Sequence, residues 1–143
     1  MSTVAKSVSI DQFRSAIEGA IATGELAPGY SETTHYHTDE LYGRKTFVPA
    51  GSVLTTPVHK SRHITIALRG IATVVDSEGR QQDLFAPAVF VTEPGTQRTI
   101  YAHSDVEWLT VHACEAQDIP TIEKLLTCDS MAEYNQLQLE NKP

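Results

Sequence analysis

The chain is short of several residue types and patterns. Of its 143 residues only two are cysteines, Cys114 and Cys128, with no Cys-x-x-Cys spacing. That excludes a disulfide framework and a cysteine-based metal site, and both read as reduced thiols. Basic residues are outnumbered: 11 Lys and Arg against 18 Asp and Glu leave a net charge of −7. Bulk nucleic-acid binding asks for the opposite balance. No apolar run nears the roughly 20 residues of a membrane span, so no membrane partner is expected. Residues 1–8 hold one lysine and no apolar stretch. They do not read as a secretory leader, and the expected location is cytoplasmic. There is no glycine-rich phosphate loop, and no Ser or Cys has a base at an informative spacing.

What remains is enough for one domain with a real core. Residues 10–23 put Ile10, Phe13, Ile17 and Ile21 on one helical face, with Ser9 or Asp11 as cap and Gly24 as stop. Residues 25–40 read as a loop, marked by Pro28-Gly29 and carrying His35-Tyr36-His37. From Leu41 the pattern is short β segments over 42–48, 52–59, 63–68, 71–75, 81–85, 89–92, 98–102 and 107–113. Turn signals such as Pro49-Ala50-Gly51, Asp76-Ser77-Glu78-Gly79 and Pro94-Gly95 separate them. Strands at this spacing predict a closed or sandwiched all-β unit. The tail turns helical. Asp118 caps a helix with Ile122, Leu125 and Leu126 on its apolar face, and Asp129 or Ser130 caps another with Met131, Tyr134 and Leu137. The expected organisation is one domain, with a helix and loop over 1–40, a β-barrel over 41–113 and a helical tail over 114–143.

Strand alternation groups the polar residues of the barrel. With His63 inward, Thr65, Ala67 and Arg69 follow it, and Ile64, Ile66 and Leu68 face out, where a sheet edge, a terminal helix or another subunit must cover them. With Arg98 inward, Ile100 and Ala102 follow. Trp108, Thr110 and His112 share a face of the last strand. An interior lined by His59, His63, Thr65, Arg98, Thr110 and His112 is unusually polar, and burying such groups unpaired costs several kcal/mol. They must satisfy one another, hold water or meet a ligand.

Two glycine-framed motifs carry a resemblance. Gly51-Ser-Val-Leu-Thr-Thr-Pro57-Val-His59-Lys-Ser-Arg-His63 runs on to Gly70, and Glu93-Pro94-Gly95-Thr96-Gln97-Arg98 follows. These resemble the two motifs of the cupin superfamily over about half the chain. The resemblance implies a mainly β fold: a single cupin-type jelly roll, or double-stranded β-barrel, with flanking helices. Both first-motif glycines match, His59 falls on the second histidine and His63 on the glutamate. Pro57 and Arg98 stand at the other two usual ligand positions. Leu41-Tyr42-x-Arg44, Val58-His59-Lys60, Gly95-Thr96-x-Arg98 and Tyr101-Ala102-His103 also look like small cupin-like proteins of phage and prophage genomes, which implies such an origin.

The candidate ligand-binding residues are His59, His63, Arg98, Lys60, Thr65 and His112. A divalent metal (Zn, Ni, Fe or Mn) would sit on His59 and His63 with His112, or more weakly His37, as a third ligand. Arg98 has a donor fork suited to carboxylate or phosphate, its bland alternative being an ion pair with Glu93 or Asp105. Three functions remain open: binding of a small polar or anionic molecule in the barrel, with or without metal; a metal-dependent enzyme acting on a small sugar or acid; and an oligomeric, virion-associated scaffold. A homo-oligomer, dimer or higher, is expected.

Overall fold

The computed structural model describes residues 31–141, and the helix expected over residues 10–23 lies outside them. The described strands are β1 (Glu32–His37), β2 (Leu41–Val48), β3 (Val53–Thr55), β4 (Val58–His59), β5 (His63–Arg69), β6 (Ile71–Asp76), β7 (Gln81–Phe85), β8 (Ala88–Thr92), β9 (Arg98–Ala102) and β10 (Val106–Ala113). Helix α1 (Ile119–Leu126), strand β11 (Thr127–Cys128) and helix α2 (Met131–Glu140) complete the chain. A five-stranded sheet in the order β1-β2-β10-β5-β8 faces a four-stranded sheet in the order β3-β9-β6-β7, and β11 pairs with β4. All pairings are antiparallel. The fold is mainly β, a jelly-roll barrel with helices at its C-terminal end.

Two segments depart from the sequence reading. Residues 32–37, read as loop, form β1 on the edge of the larger sheet, paired with β2 from Glu32↔Phe47 to His37↔Tyr42. Their composition is polar because only the β2 side is paired and much of the strand is exposed. The segment 52–59, read as one strand, is two. Pro57 has no N–H to give a ladder, and the chain changes partner there, β3 pairing with β9 and β4 with β11.

The alternation holds on β5 for His63, Thr65 and Ala67, which are buried. It fails at Arg69, which is exposed and bonds Asp105 and Glu107. A register shift between Glu107 and Trp108 ends the regular ladder there. Ile100 and Ala102 are buried as expected. On the outer face Ile64, Leu68, Val89 and Val91 stay exposed, so the expected cover does not come from the described residues.

The core has two parts. Val48, Ala72, Val74, Ile100, Ala102 and Val106 pack at one end of the barrel. At the other end Tyr42 and Cys114 pack with Ile122 and Leu126 of α1. The Asp118 carboxylate accepts from Thr121 N at 3.1 Å and starts α1. Leu125, expected on the apolar face, points to solvent instead. Ile122 and Leu126 are a turn apart and already fill the barrel end, leaving Leu125 a step round the helix. Among the described residues, no helix is long and apolar enough to cross a membrane.

Candidate functional site

Strand register lays the inner face of the larger sheet out in rows. One row runs His37–Tyr42–His112 across β1, β2 and β10, with His63 and its partner Thr92 beyond. The next runs His35–Arg44–Thr110–Thr65–Phe90. A third carries Thr46, Trp108, Ala67 and Ala88. From the facing sheet, β9 supplies Arg98 and Ile100. Between the sheets lies a cavity of about 1020 Å³, lined by Arg44, Arg98, His59, Thr65 and Thr110 among others.

Three histidines meet at the α1 end. The rings of His59 and His63 are 4.6 Å apart, those of His63 and His112 4.2 Å, and those of His59 and His112 6.4 Å. His63 Nδ1 donates to the Ser61 carbonyl at 3.0 Å, so its proton is on Nδ1 and Nε2 is bare. His112 Nε2 bonds Thr110 Oγ1 at 2.8 Å. His59 Nδ1, His63 Nε2 and His112 Nδ1 are buried with no partner. Burial pushes His59 down to about 3, helped by His63, His112, Arg98 and Arg44. Burial likewise takes His112 to about 3, with His63 and Arg44 adding to it. Burial lowers His63 too, against the Ser61 carbonyl, with Arg98 assisting. All three are neutral at pH 7.

Arg98 is a largely buried cation of the cavity. Its Nη1 donates to Thr92 Oγ1 at 3.1 Å, and Thr92 Oγ1 lies 2.6 Å from Thr65 Oγ1. The guanidinium sits over Phe90, 5.2 Å from the ring centre. Burial lowers its pKa, against the pull of Asp76. The partners considered from sequence are engaged elsewhere: Glu93 with Arg62 at 2.7 Å, and Asp105 with Arg69 at 3.1 Å. Arg44 is the residue the sequence reading missed as a site. It stands next to Thr110 in register, between inward Tyr42 and Thr46, and it lines the same cavity. The period-two pattern of β2 carried that signal. Among the described residues, no carboxylate lies within ion-pair distance of Arg44 or Arg98.

Two candidates lie elsewhere. Lys60 does not line the cavity, because its ammonium donates to the Lys124 carbonyl near the C-terminal end of α1 at 2.7 Å. That end of a helix attracts cations. His37 packs at Tyr42, ring centres 5.5 Å apart, and His35 Nδ1 bonds Tyr42 Oη at 2.6 Å. Tyr42 separates both from the inner histidines. Outside the barrel, His103 Nε2 bonds Thr73 Oγ1 at 2.6 Å, tying β6 to the turn after β9.

The donor chemistry of His59, His63 and His112 suits a divalent metal, since neutral imidazoles with bare nitrogens are what such ions take. Their arrangement does not. The rings lie against one another, and among the described residues no group of three or more His, Cys, Asp or Glu side chains is placed to hold a metal ion.

No protein-family model matches the chain, and no curated protein does. Solved structures do resemble it. The EutQ protein of Clostridium difficile is 10% identical with a TM-score of 0.51, over 62% of this chain and 71% of that one. The cupin domain of Schizosaccharomyces pombe Cnp3 is 15% identical with a TM-score of 0.49, over 66% and 69%. KdgF from Halomonas sp. is 19% identical with a TM-score of 0.49, over 58% and 79%. At these identities the likeness is one of fold.

Proposed function

We propose that the barrel is a receptor for a small organic anion, with Arg98 as the group that holds the negative charge. One observation carries this reading: a largely buried guanidinium faces the cavity with no carboxylate within ion-pair distance among the described residues, Asp76, Glu78 and Glu93 lining the cavity further off. Burying a cation without an ion pair is expensive, and an anionic ligand lowers that cost. The Thr65 and Thr110 hydroxyls and the neutral ring of His59 supply further hydrogen bonds to ligand oxygens. Arg98 stands where the cupin resemblance places a metal-binding histidine, so the guanidinium takes over the anchoring that an ion would supply.

The test uses carboxylates and inorganic phosphate as probes, with thermal shift and the fluorescence of the single tryptophan, Trp108, as readouts. Charge-assisted hydrogen bonds contribute about 1.5–3 kcal/mol each. Arg98→Gln is therefore expected to weaken anion binding roughly 10- to 100-fold. Equal binding by the variant would sink the proposal. Treatment with EDTA is expected to leave binding unchanged. Loss of binding on EDTA, restored by Zn, Ni, Fe or Mn, would instead assign the bare histidine nitrogens to a metal and revive the enzyme alternative.

A further inference from the structure

Two parts of the cavity lining differ chemically, and their division points to the class of anion; Asp76, Glu78, Arg80 and Glu93 line the cavity as well. One zone holds Arg44, Arg98, Thr65 and Thr110, next to the histidines. The other is a wall of Leu54, Val74, Ile100 and Trp108, with Ala67 and Ala72 between them. Val74 and Ile100 belong to the main apolar cluster, and Leu54 and Trp108 pack against it while still lining the cavity. A ligand filling this volume meets both zones. Sugar hydroxyls set against the aliphatic wall would lose water without gaining partners, which costs about 1–3 kcal/mol for each unmet group. A hydrocarbon or aromatic body there displaces water favourably.

We infer that the ligand is an amphipathic organic acid: one acidic head gripped between Arg98 and Arg44, and an apolar body lying against Leu54, Val74, Ile100 and Trp108. This rests on the reading of the barrel as an anion receptor and narrows it. Arg44 is the second head-group residue, and it disfavours neutral ligands at that end. Sugar acids and inorganic phosphate fill only the cationic zone and leave the wall wet.

Titration of the intact chain with butanoate, hexanoate and octanoate, followed by Trp108 fluorescence, tests the inference, with glucuronate and inorganic phosphate as polar anions. Affinity is expected to rise roughly tenfold for each two methylenes, from the transfer energy of a buried methylene. Glucuronate and phosphate should bind no better than butanoate. Leu54→Ser should flatten the chain-length dependence, and Arg98→Gln should weaken the whole series. A flat series with Arg98-dependent binding would overturn the apolar body and leave the anion receptor standing. A chain-length dependence that survives Arg98→Gln undiminished would place the acids outside the cavity and overturn the inference. Failure of every probe to shift either fluorescence or melting would overturn both readings.

Discussion

Acidification from pH 6.5 to 5 should destabilise the folded protein by about 3 kcal/mol through His59 and His112 alone, each neutral group contributing up to about 1.4 kcal/mol per pH unit. The sign follows from where the protons go. In the unfolded chain both histidines titrate near the ordinary 6.5, whereas in the fold they do so near 3. Through and below pH 6.5 the unfolded state therefore binds more protons, and stability falls until the folded values are reached. Well above pH 7 these groups add no pH dependence. His63, lowered in the same direction by burial, steepens the fall. The cations facing His59, Arg44 from β2 and Arg98 from β9, both oppose its protonation, as do its two histidine neighbours. The carboxyl of Asp118, held low by Thr121, matters only below the ordinary aspartate range and leaves this window clear. Against a typical total of about 5–15 kcal/mol, the loss is large. Urea unfolding at pH 7.5, 6.5, 5.5 and 5.0 measures it. His112→Gln should reduce the slope by about one proton. Equal stability at pH 7 and pH 5 would mean that the histidines are not held neutral in the fold.

The same residues show what was legible in the sequence. Alternation along β5 and β10 brings His63, Thr65, Thr110 and His112 to one face from the sequence alone, because successive side chains of a strand can only point to one face or the other. The glycine-framed motifs locate His59 and Arg98 at the barrel. Lys60 could not be placed this way. It follows His59 in a short, irregular stretch, and its direction is set by a helix more than 60 residues further on. Arg69 escaped because β5 carries one extra residue, Leu68, between the partners of Trp108 and Glu107, and this bulge breaks the alternation at that point. β1 escaped because an edge strand need not be apolar. Arg44 was legible in the same way as His63: period-two alternation from buried Tyr42 to buried Thr46 puts it on the inner face of β2.

Gly70→Ala is expected to cost about 3 kcal/mol or more, the sum of left-handed backbone strain and a steric conflict. Gly70 joins β5 of one sheet to β6 of the other, and it makes this turn at φ +96°. An L side chain in that region is strained by about 1–2 kcal/mol. The greater part of the loss comes from a neighbouring turn. A Cβ on Gly70 would lie 2.2 Å from the Asp105 carbonyl oxygen and 2.9 Å from Val106 Cγ2. That backbone cannot withdraw freely. The Asp105 carboxylate accepts from Ala50 N at 3.0 Å and from Arg69 Nη2 at 3.1 Å, and Val106 is buried in the main core. Relief would have to move the β9–β10 turn and the start of β10 together. Gly51 supplies the control within the same molecule. It has a similar φ of +86°, but its added Cβ meets nothing within 4 Å. Gly51→Ala should therefore show the backbone strain alone, about 1 kcal/mol. Urea unfolding of both variants separates strain from clash. Should Gly70→Ala prove too unstable to purify at 25 °C, its melting can be followed at lower temperature or in stabilising sulfate. Equal losses at the two positions would show that the close approach of the β5–β6 and β9–β10 turns is not what the glycine is for.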